Sequence, residues 1–496
     1  MTIDSLSASL ISSFESAAGR VLISEGEREL TGTDLRKSMD DEARRLMALG
    51  VAPGDRVAVQ ASKSLDLVLL YLGCLRLGAV YLPLNDAYRS EEIKYFLNDA
   101  EPKLFICTPD AAAALISSGC IPDTVSVQTL GLFGEGSWPV AERSDDTLPP
   151  APASPDDLAA IVYTSGTTGR SKGAMLSQHS LLANARDLAA VWGITAEDRL
   201  LHALPLFHIH GLFIAIHPLL LAGARIDLLP EFDPDTVLAR LNTATLFMGV
   251  PTYYTRLLAR AGLSREATSH VRLFISGSAP LTPATFQTFA ERTGHKILER
   301  YGMTECGIIC SNLLDGPRLP GAVGQPLAGY RIRIADNAQT GVLEVKGASL
   351  FSGYWRMPEK TREEFRDDGY FITGDLARID TNGVVQIVGR DKDMIISGGL
   401  NIYPVEIETL VDTMAEVSEV AVVGVPHSDF GEAVLAIVCL QPDEMIEGGE
   451  IIDRLRQHVA GYKLPKAVEF AHALPRNAMG KVQKAELRRI YASRFA

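Results

Sequence analysis

The chain has 496 residues, 47% hydrophobic and 22% charged, with a formal net charge of -14 at pH 7. That length holds roughly three domains' worth of chain, and ordinary glycine and proline usage excludes a fibrous or disordered class. The acidic balance argues against nucleic-acid binding, which leaves a basic footprint, while a locally basic site for a small anion stays open.

In chain order, MTIDSLSASLISSFESAAGR has no basic n-region and carries Asp4 and Glu15, so it is not read as a signal peptide. Short apolar runs follow: RVAVQ, VYLPL, KLFICT, AAIVYT, LLHALP, RIDLLP, TLFMGV, RLFISG and KILERY. Longer helical patterns such as SLDLVLLYLGCLRLGA and EEIKYFLNDA lie between them. This alternation predicts an α/β fold with parallel sheets covered by helices. The segment from Glu142 to Asp157, rich in Pro, Asp and Ser, reads as a surface connection inside one large domain. GLFIAIHPLLLAGA is interrupted by His217 and Pro218 and falls short of the roughly 20 apolar residues that span a bilayer, so it is read as a buried core helix. After Gly341, GVLEVKG, DGYFITGDLARID and GVVQIVGRDKDMI predict a β-rich subdomain with Gly and Asp turns. From Asp391 the pattern becomes a small α/β unit, giving a large domain over 1–390 and a small C-terminal one over 391–496. The six cysteines form no CxxC pair and no His cluster completes a zinc site, so reduced, buried thiols and a cytoplasmic location are expected.

The densest chemistry is Tyr163-Thr-Ser-Gly-Thr-Thr-Gly-Arg-Ser-Lys-Gly173, directly after the strand AAIVY. Gly166, Gly169 and Gly173 let backbone amides converge on an anion. Hydroxyls add donors, and Arg170 and Lys172 add charge for a polyphosphate. It is not a Walker loop, which needs Gly before its Lys and Ser or Thr after. Here Ser171 precedes Lys172 and Gly173 follows.

YTSGTTGRSKG resembles the signature loop of the adenylate-forming superfamily: acyl-CoA synthetases, adenylation domains of peptide synthetases, and firefly-type luciferases. SGSAPL, ERYGMTE, YFITGDLARID, GRDKDMIISGGLNIYPVEIE and PRNAMGKVQK match further motifs in the expected order, so the resemblance spans nearly the whole chain. It implies ATP, Mg²⁺ and CoA as reactants. A carboxylate is first converted to an acyl-AMP anhydride with loss of pyrophosphate, and a thiol then displaces AMP.

Residue by residue, the resemblance places Thr164, Ser165, Gly166, Thr167, Thr168, Gly169 and Lys172 around the phosphates. Ser278, Ala279 and Pro280, with Gly277, border adenine, and Tyr301 stacks on it, with Glu299, Gly302, Met303 and Ile387 nearby. Asp375 takes the ribose hydroxyls beside Arg390, Thr304 meets the α-phosphate, and Glu305 with Thr164 holds Mg²⁺. Lys481 reaches the reacting oxygens in one orientation of the small domain. In a second orientation, reached through a hinge at Lys392, Ser397, Gly398 and Gly399 line the way for pantetheine. Lysine acetylation at Lys481 is a regulatory expectation.

The resemblance builds the acid pocket around His208, Tyr253, Ser276 and the Arg300–Met303 stretch, with His208 as a catalytic candidate and His210 beside it. Arg300 is the informative residue. A buried guanidinium needs an anion, either a protein carboxylate (Glu299 or Glu305) or a second carboxylate on the substrate. The longer runs ALPLFHIHGLF, MGVPTYYTRLL and FSGYWRMPEKTREEFRDDGYFITGDL are similar to malonyl-CoA synthetases within the superfamily, implying malonate and methylmalonate. Arg272 is read as a surface residue, with a pocket role as the alternative. One departure stands out: after Glu305 the chain reads CGIICSN, more apolar than that group suggests. Another short acid, or loading of a carrier protein, remains the alternative.

Overall fold

The computed structural model describes residues 5–138, 146–152, 154, 156–164, 171–477 and 480–495. Ser165, Gly166, Thr167, Thr168, Gly169 and Arg170 therefore lie outside the described residues, as does part of the Glu142–Asp157 connection.

Helix Leu6–Ser16 is capped by the Ser5 side chain, which accepts from the Ala8 amide, and it buries Leu6, Leu10 and Phe14. The N-terminal segment is thus part of the main core. Strands Arg199–His202, Leu246–Gly249, Leu273–Ser276 and Leu298–Met303 then build the parallel centre of a large sheet. Arg225–Leu228 and Val21–Glu25 extend it on one side, and Gly307–Ser311 adds an antiparallel strand on the other. In open α/β sheets ligands bind beyond the carboxyl ends of such strands. His208, Tyr253 and Ser276 lie at or past those ends, and Arg300 follows the parallel-paired residues of its strand, Leu298 and Glu299.

A second sheet is parallel through Ser126–Thr129, Leu104–Cys107, Arg56–Gln60, Val80–Pro83 and Leu158–Thr164. Its edge strand, Lys172–Ser177, runs antiparallel to Leu158–Thr164, with Thr164 opposite Lys172. The strands on either side of the phosphate loop therefore pair with each other. The second, Lys172–Ser177, leads into the helix Gln178–Val191, which Ser177 caps.

The β-rich region is an antiparallel sheet of Tyr330–Ile334, Thr340–Gly347, Phe371–Ile379 and Val385–Arg390. The last unit carries its own sheet, centred on Val417–His427 and Gly431–Leu440, with a separate apolar core. GLFIAIHPLLLAGA is buried as expected, but it opens with a π-helical turn, His210–Ile214, before the short helix Ile216–Leu221. All six cysteines are buried and unbridged. Among the described residues no helix is long and apolar enough to cross a membrane.

Arg272 lies away from the acid pocket. Its guanidinium donates to both Asp198 carboxylate oxygens (2.7 Å each) and to the Trp192 and Gly193 carbonyls. Asp198 is buried, so losing its partner strands a carboxylate. Arg272→Ala should cost about 2 kcal/mol of stability, the scale of a charged hydrogen bond. Thermal unfolding should show the loss while acid selectivity stays as in the wild type.

Candidate active site

The acid pocket is built on strand alternation. Arg300 and Tyr301 are neighbours on one strand and leave it on opposite faces. The Arg300 guanidinium packs over Gly277, where an added Cβ would sit 2.4 Å from Cζ, so only glycine leaves room for it. On the other face, the Tyr301 hydroxyl donates to Asp375 Oδ2 at 2.5 Å.

Arg300 is 6% exposed, and its Nε and Nη2 are buried without hydrogen-bond partners. Burial pushes the guanidinium down to about 9, opposed only weakly by Tyr254. Neither protein carboxylate considered from sequence serves it. Glu299 accepts from the Gly321 amide, and burial raises its carboxyl to about 8. Glu305 accepts from the Tyr354 hydroxyl at 2.9 Å. Among the described residues Arg300 makes no ion pair.

Other unmet polar atoms lie in the same region. Ser276 Oγ, at the end of its strand, and His210 Nε2 are buried and unpartnered. His210 Nδ1 meets the Ser278 hydroxyl at 3.2 Å, and Ser278 holds a left-handed backbone (φ 71°). His208 Nδ1 accepts the His210 amide, which leaves the proton of its neutral ring on Nε2. Burial, then the Arg300 and Lys481 charges, push His208 down to about 4, so it is neutral near pH 7. The loop bearing both histidines is closed by His202 Nε2 against the Gly211 carbonyl (2.8 Å). Tyr253 stacks on Phe232, with ring centroids 3.7 Å apart.

On the nucleotide side, Asp375 also pairs with Arg390 (2.7 Å), its register partner on the next strand. The two contacts leave lone pairs on the carboxylate for further donors. Ile387 lies on the Arg390 strand and is partly buried. Ala279 and Thr304 are partly buried, and Pro280 is exposed. Gly302 permits the tight pairing of its strand with Gly307–Ser311, since a Cβ there would sit 2.1 Å from the Gly307 carbonyl oxygen. The apolar CGIICSN run is that buried partner strand and its flanks, which accounts for its composition.

Lys172 pairs with Glu364 at 3.2 Å, and its ammonium lies 4.3 Å from the centre of the Tyr354 ring. Thr164 Oγ1 donates to the Lys172 carbonyl across the hairpin mouth (3.4 Å). Burial raises the Glu305 carboxyl, while the Lys172 and Arg390 charges oppose the shift. Among the described residues no group of three or more His, Cys, Asp or Glu side chains could hold a metal. A single carboxylate with a threonine hydroxyl nonetheless fits Mg²⁺, which keeps waters and phosphate oxygens in its shell.

Lys481 is solvent-accessible at the cleft mouth. Protein crowding around it, then the Arg390 charge, lower its ammonium to about 8. Its neighbour Gly480 (φ 73°) brings the loop close to Thr252, beside the pocket residue Tyr253. Lys392 is exposed. Gly398 and Gly399 are also exposed, while Ser397 is buried. The Gly398 amide donates to the Phe430 carbonyl within the small sheet. Tyr354 and Glu364 belong to no short motif of the sequence and stand only inside a longer run. The signal that could have marked them is the aromatic-rich FSGYW followed by a charged helix.

Residues 13–355 match the model of the AMP-binding enzyme, and residues 406–481 match that of the AMP-binding enzyme C-terminal domain. The malonate–CoA ligase of Arabidopsis thaliana is 36% identical over 485 residues, covering 90% of this chain and 80% of that one. The feruloyl-CoA synthase of an Amycolatopsis species is 34% identical over 475 residues, covering 94% of each. ATP-bound MatB from Rhodopseudomonas palustris is 46% identical, with a TM-score of 0.93 over 98% of this chain and 99% of that one. Apo MatB from the same organism, at 46% identity and complete coverage of both chains, superposes with a TM-score of 0.83. With both of its regions matched in order, the chain belongs to the AMP-binding enzyme family.

Proposed function

We propose that the protein is an ATP-dependent malonate–CoA ligase that forms malonyl-AMP and then malonyl-CoA. The observation that carries the acid is Arg300: a buried guanidinium whose Nε and Nη2 have no partner among the described residues, in the same region as the unpartnered Ser276 Oγ and His210 Nε2. A dicarboxylate supplies the missing anion with the carboxylate that does not react. Methylmalonate keeps both carboxylates, so it is a second candidate. Relatives near 34–36% identity include both malonate and ferulate activators, so overall identity does not choose the acid and the site must.

In the first step a malonate oxygen attacks the α-phosphorus of ATP, the bond to the β-phosphate breaks, and pyrophosphate leaves. In the second, the CoA sulfur attacks the acyl carbon, the bond to AMP breaks, and the thiol proton passes to solvent. Lys481 is assigned to the α-phosphate and reacting carboxylate, Lys172 to the outer phosphates, Asp375 to the ribose and Tyr301 to adenine. Glu305 and Thr164 would hold Mg²⁺, which offsets charge on the phosphates. His208 is neutral and offers its Nε2 proton to the acid. We assign residues 1–390 to the adenylation domain and 391–496 to a lid turning at Lys392. The higher TM-score to ATP-bound than to apo MatB supports reading the present arrangement as the adenylate-forming one. The lid would then swing Ser397, Gly398 and Gly399 inward for CoA. The exposed Lys481 is also open to an acetyltransferase, and acetylation would remove its charge. Six unbridged thiols support a cytoplasmic location.

Pyrophosphate release with ATP, Mg²⁺ and CoA should be greatest with malonate and weaker with acetate, butyrate and benzoate. A monocarboxylate in the lead would sink the malonate assignment.

A further inference from the structure

We infer that Tyr354 is a positioning residue that holds the phosphate-loop lysine, Lys172, and the carboxylate of Glu305 in a fixed relation before ATP arrives. The inference rests on the ligase reading above and concerns how its phosphate end is preorganised.

The backbone makes Tyr354 a junction. Ser352 donates to the Met175 carbonyl, Met175 to Gly353, and Trp355 to Gly173, which zips residues 352–355 onto the strand that begins at Lys172. One residue upstream of this zip, the Phe351 amide donates to the Glu305 carbonyl at 2.7 Å. A single short segment thus ties the lysine-bearing strand to the turn bearing the carboxylate. The Tyr354 amide is itself pinned by Thr361 Oγ1 at 2.9 Å, and the residue is 3% exposed.

The side chain repeats the connection. Its hydroxyl donates to Glu305 Oε1 at 2.9 Å, and its ring lies 4.3 Å from the Lys172 ammonium. The Lys172 charge acts on the Glu305 carboxyl, yet Lys172 makes its ion pair with Glu364, which Lys360 shares at 3.2 Å. A direct Lys172–Glu305 pair would cancel the cation needed for phosphate and the anion needed for Mg²⁺. The phenol prevents that collapse by occupying one oxygen of the carboxylate and offering its π face to the ammonium, a contact of moderate strength that a phosphate can displace. The other Glu305 oxygen is left for a metal.

The test separates ring from hydroxyl. Tyr354→Phe keeps the ring and Tyr354→Leu removes both. Calorimetric titration with ATP, in Mg²⁺ and in chelator, reads the metal-dependent part of affinity directly. Tyr354→Phe should lose about fivefold of ATP affinity in Mg²⁺, the scale of one hydrogen bond, and none in chelator. Tyr354→Leu should weaken both. Both variants should convert preformed acyl-adenylate and CoA to thioester at the wild-type rate, since that half-reaction needs neither phosphate group. An unchanged Mg²⁺ effect in Tyr354→Phe overturns the inference, as does equal loss of both half-reactions, which marks a merely structural role. Failure of the wild type to release pyrophosphate with any acid overturns the ligase reading and this inference together.

Discussion

Lys481→Ala should reduce acyl-adenylate formation by about a hundredfold to a thousandfold, the scale set by removing one preorganised group from developing charge. Thioester formation from supplied acyl-adenylate and CoA should stay within about twofold of wild type, since the proposed second orientation withdraws Lys481. The asymmetry follows from position. Lys481 follows Gly480, where an added Cβ would lie 3.4 Å from Thr252 Oγ1, and its charge is felt by His208. It also has a pH signature. Crowding and Arg390 lower the ammonium to about 8 in the ATP-free protein. The cation is present below that pH and lost above it, so kcat/KM for ATP in the first half-reaction should fall as pH rises through about 8. Single-turnover measurements of each half-reaction, from pH 6.5 to 9.5, check both points. Equal loss in both halves would show that Lys481 holds the lid in place rather than assisting the transfer.

The parts of the candidate site that the sequence marks are local. The hydroxyl- and glycine-rich loop, the ERYGMTE strand and the NAMGK turn each compress their chemistry into a few consecutive residues. The strand–helix rhythm exposed the sheets for the same reason, since period and length are local properties. What escaped was pairing between distant segments. The strand Lys172–Ser177 is defined by its partner Leu158–Thr164, and Tyr354 matters only because residues 352–355 lie across Gly173 and Met175 while its hydroxyl reaches Glu305. The family resemblance puts Gly277 beside adenine. The structure adds that it makes space for the Arg300 side chain, a contact between two strands that no single motif encodes. Arg272 shows the converse. It stands one residue ahead of a pocket strand and is exposed, as its surface reading expects, but its carboxylate partner, Asp198, lies 74 residues away in sequence.

Arg300→Ala should cost malonate about a hundredfold to a thousandfold in kcat/KM, within the range for removing one member of a buried charge pair. Acetate, which lacks the second carboxylate, should lose little and could gain. Among the described residues no counter-charge pairs with the buried Arg300, so its removal deletes an unfavourable element and should not lower thermal stability. That combination is diagnostic. A structural arginine would destabilise the fold when truncated and slow every acid alike, whereas a substrate-pairing arginine gives selective kinetic loss at constant or raised stability. Arg300→Lys should recover only part of the malonate rate, because an ammonium on a flexible stem cannot reproduce the planar fork that pairs with carboxylate. Competition between malonate and acetate in one reaction, read by mass spectrometry of the two thioesters, measures the selectivity ratio without assumptions about saturation. A ratio unmoved by Arg300→Ala would place the second carboxylate elsewhere and leave the unpaired Nε and Nη2 as a purely structural cost.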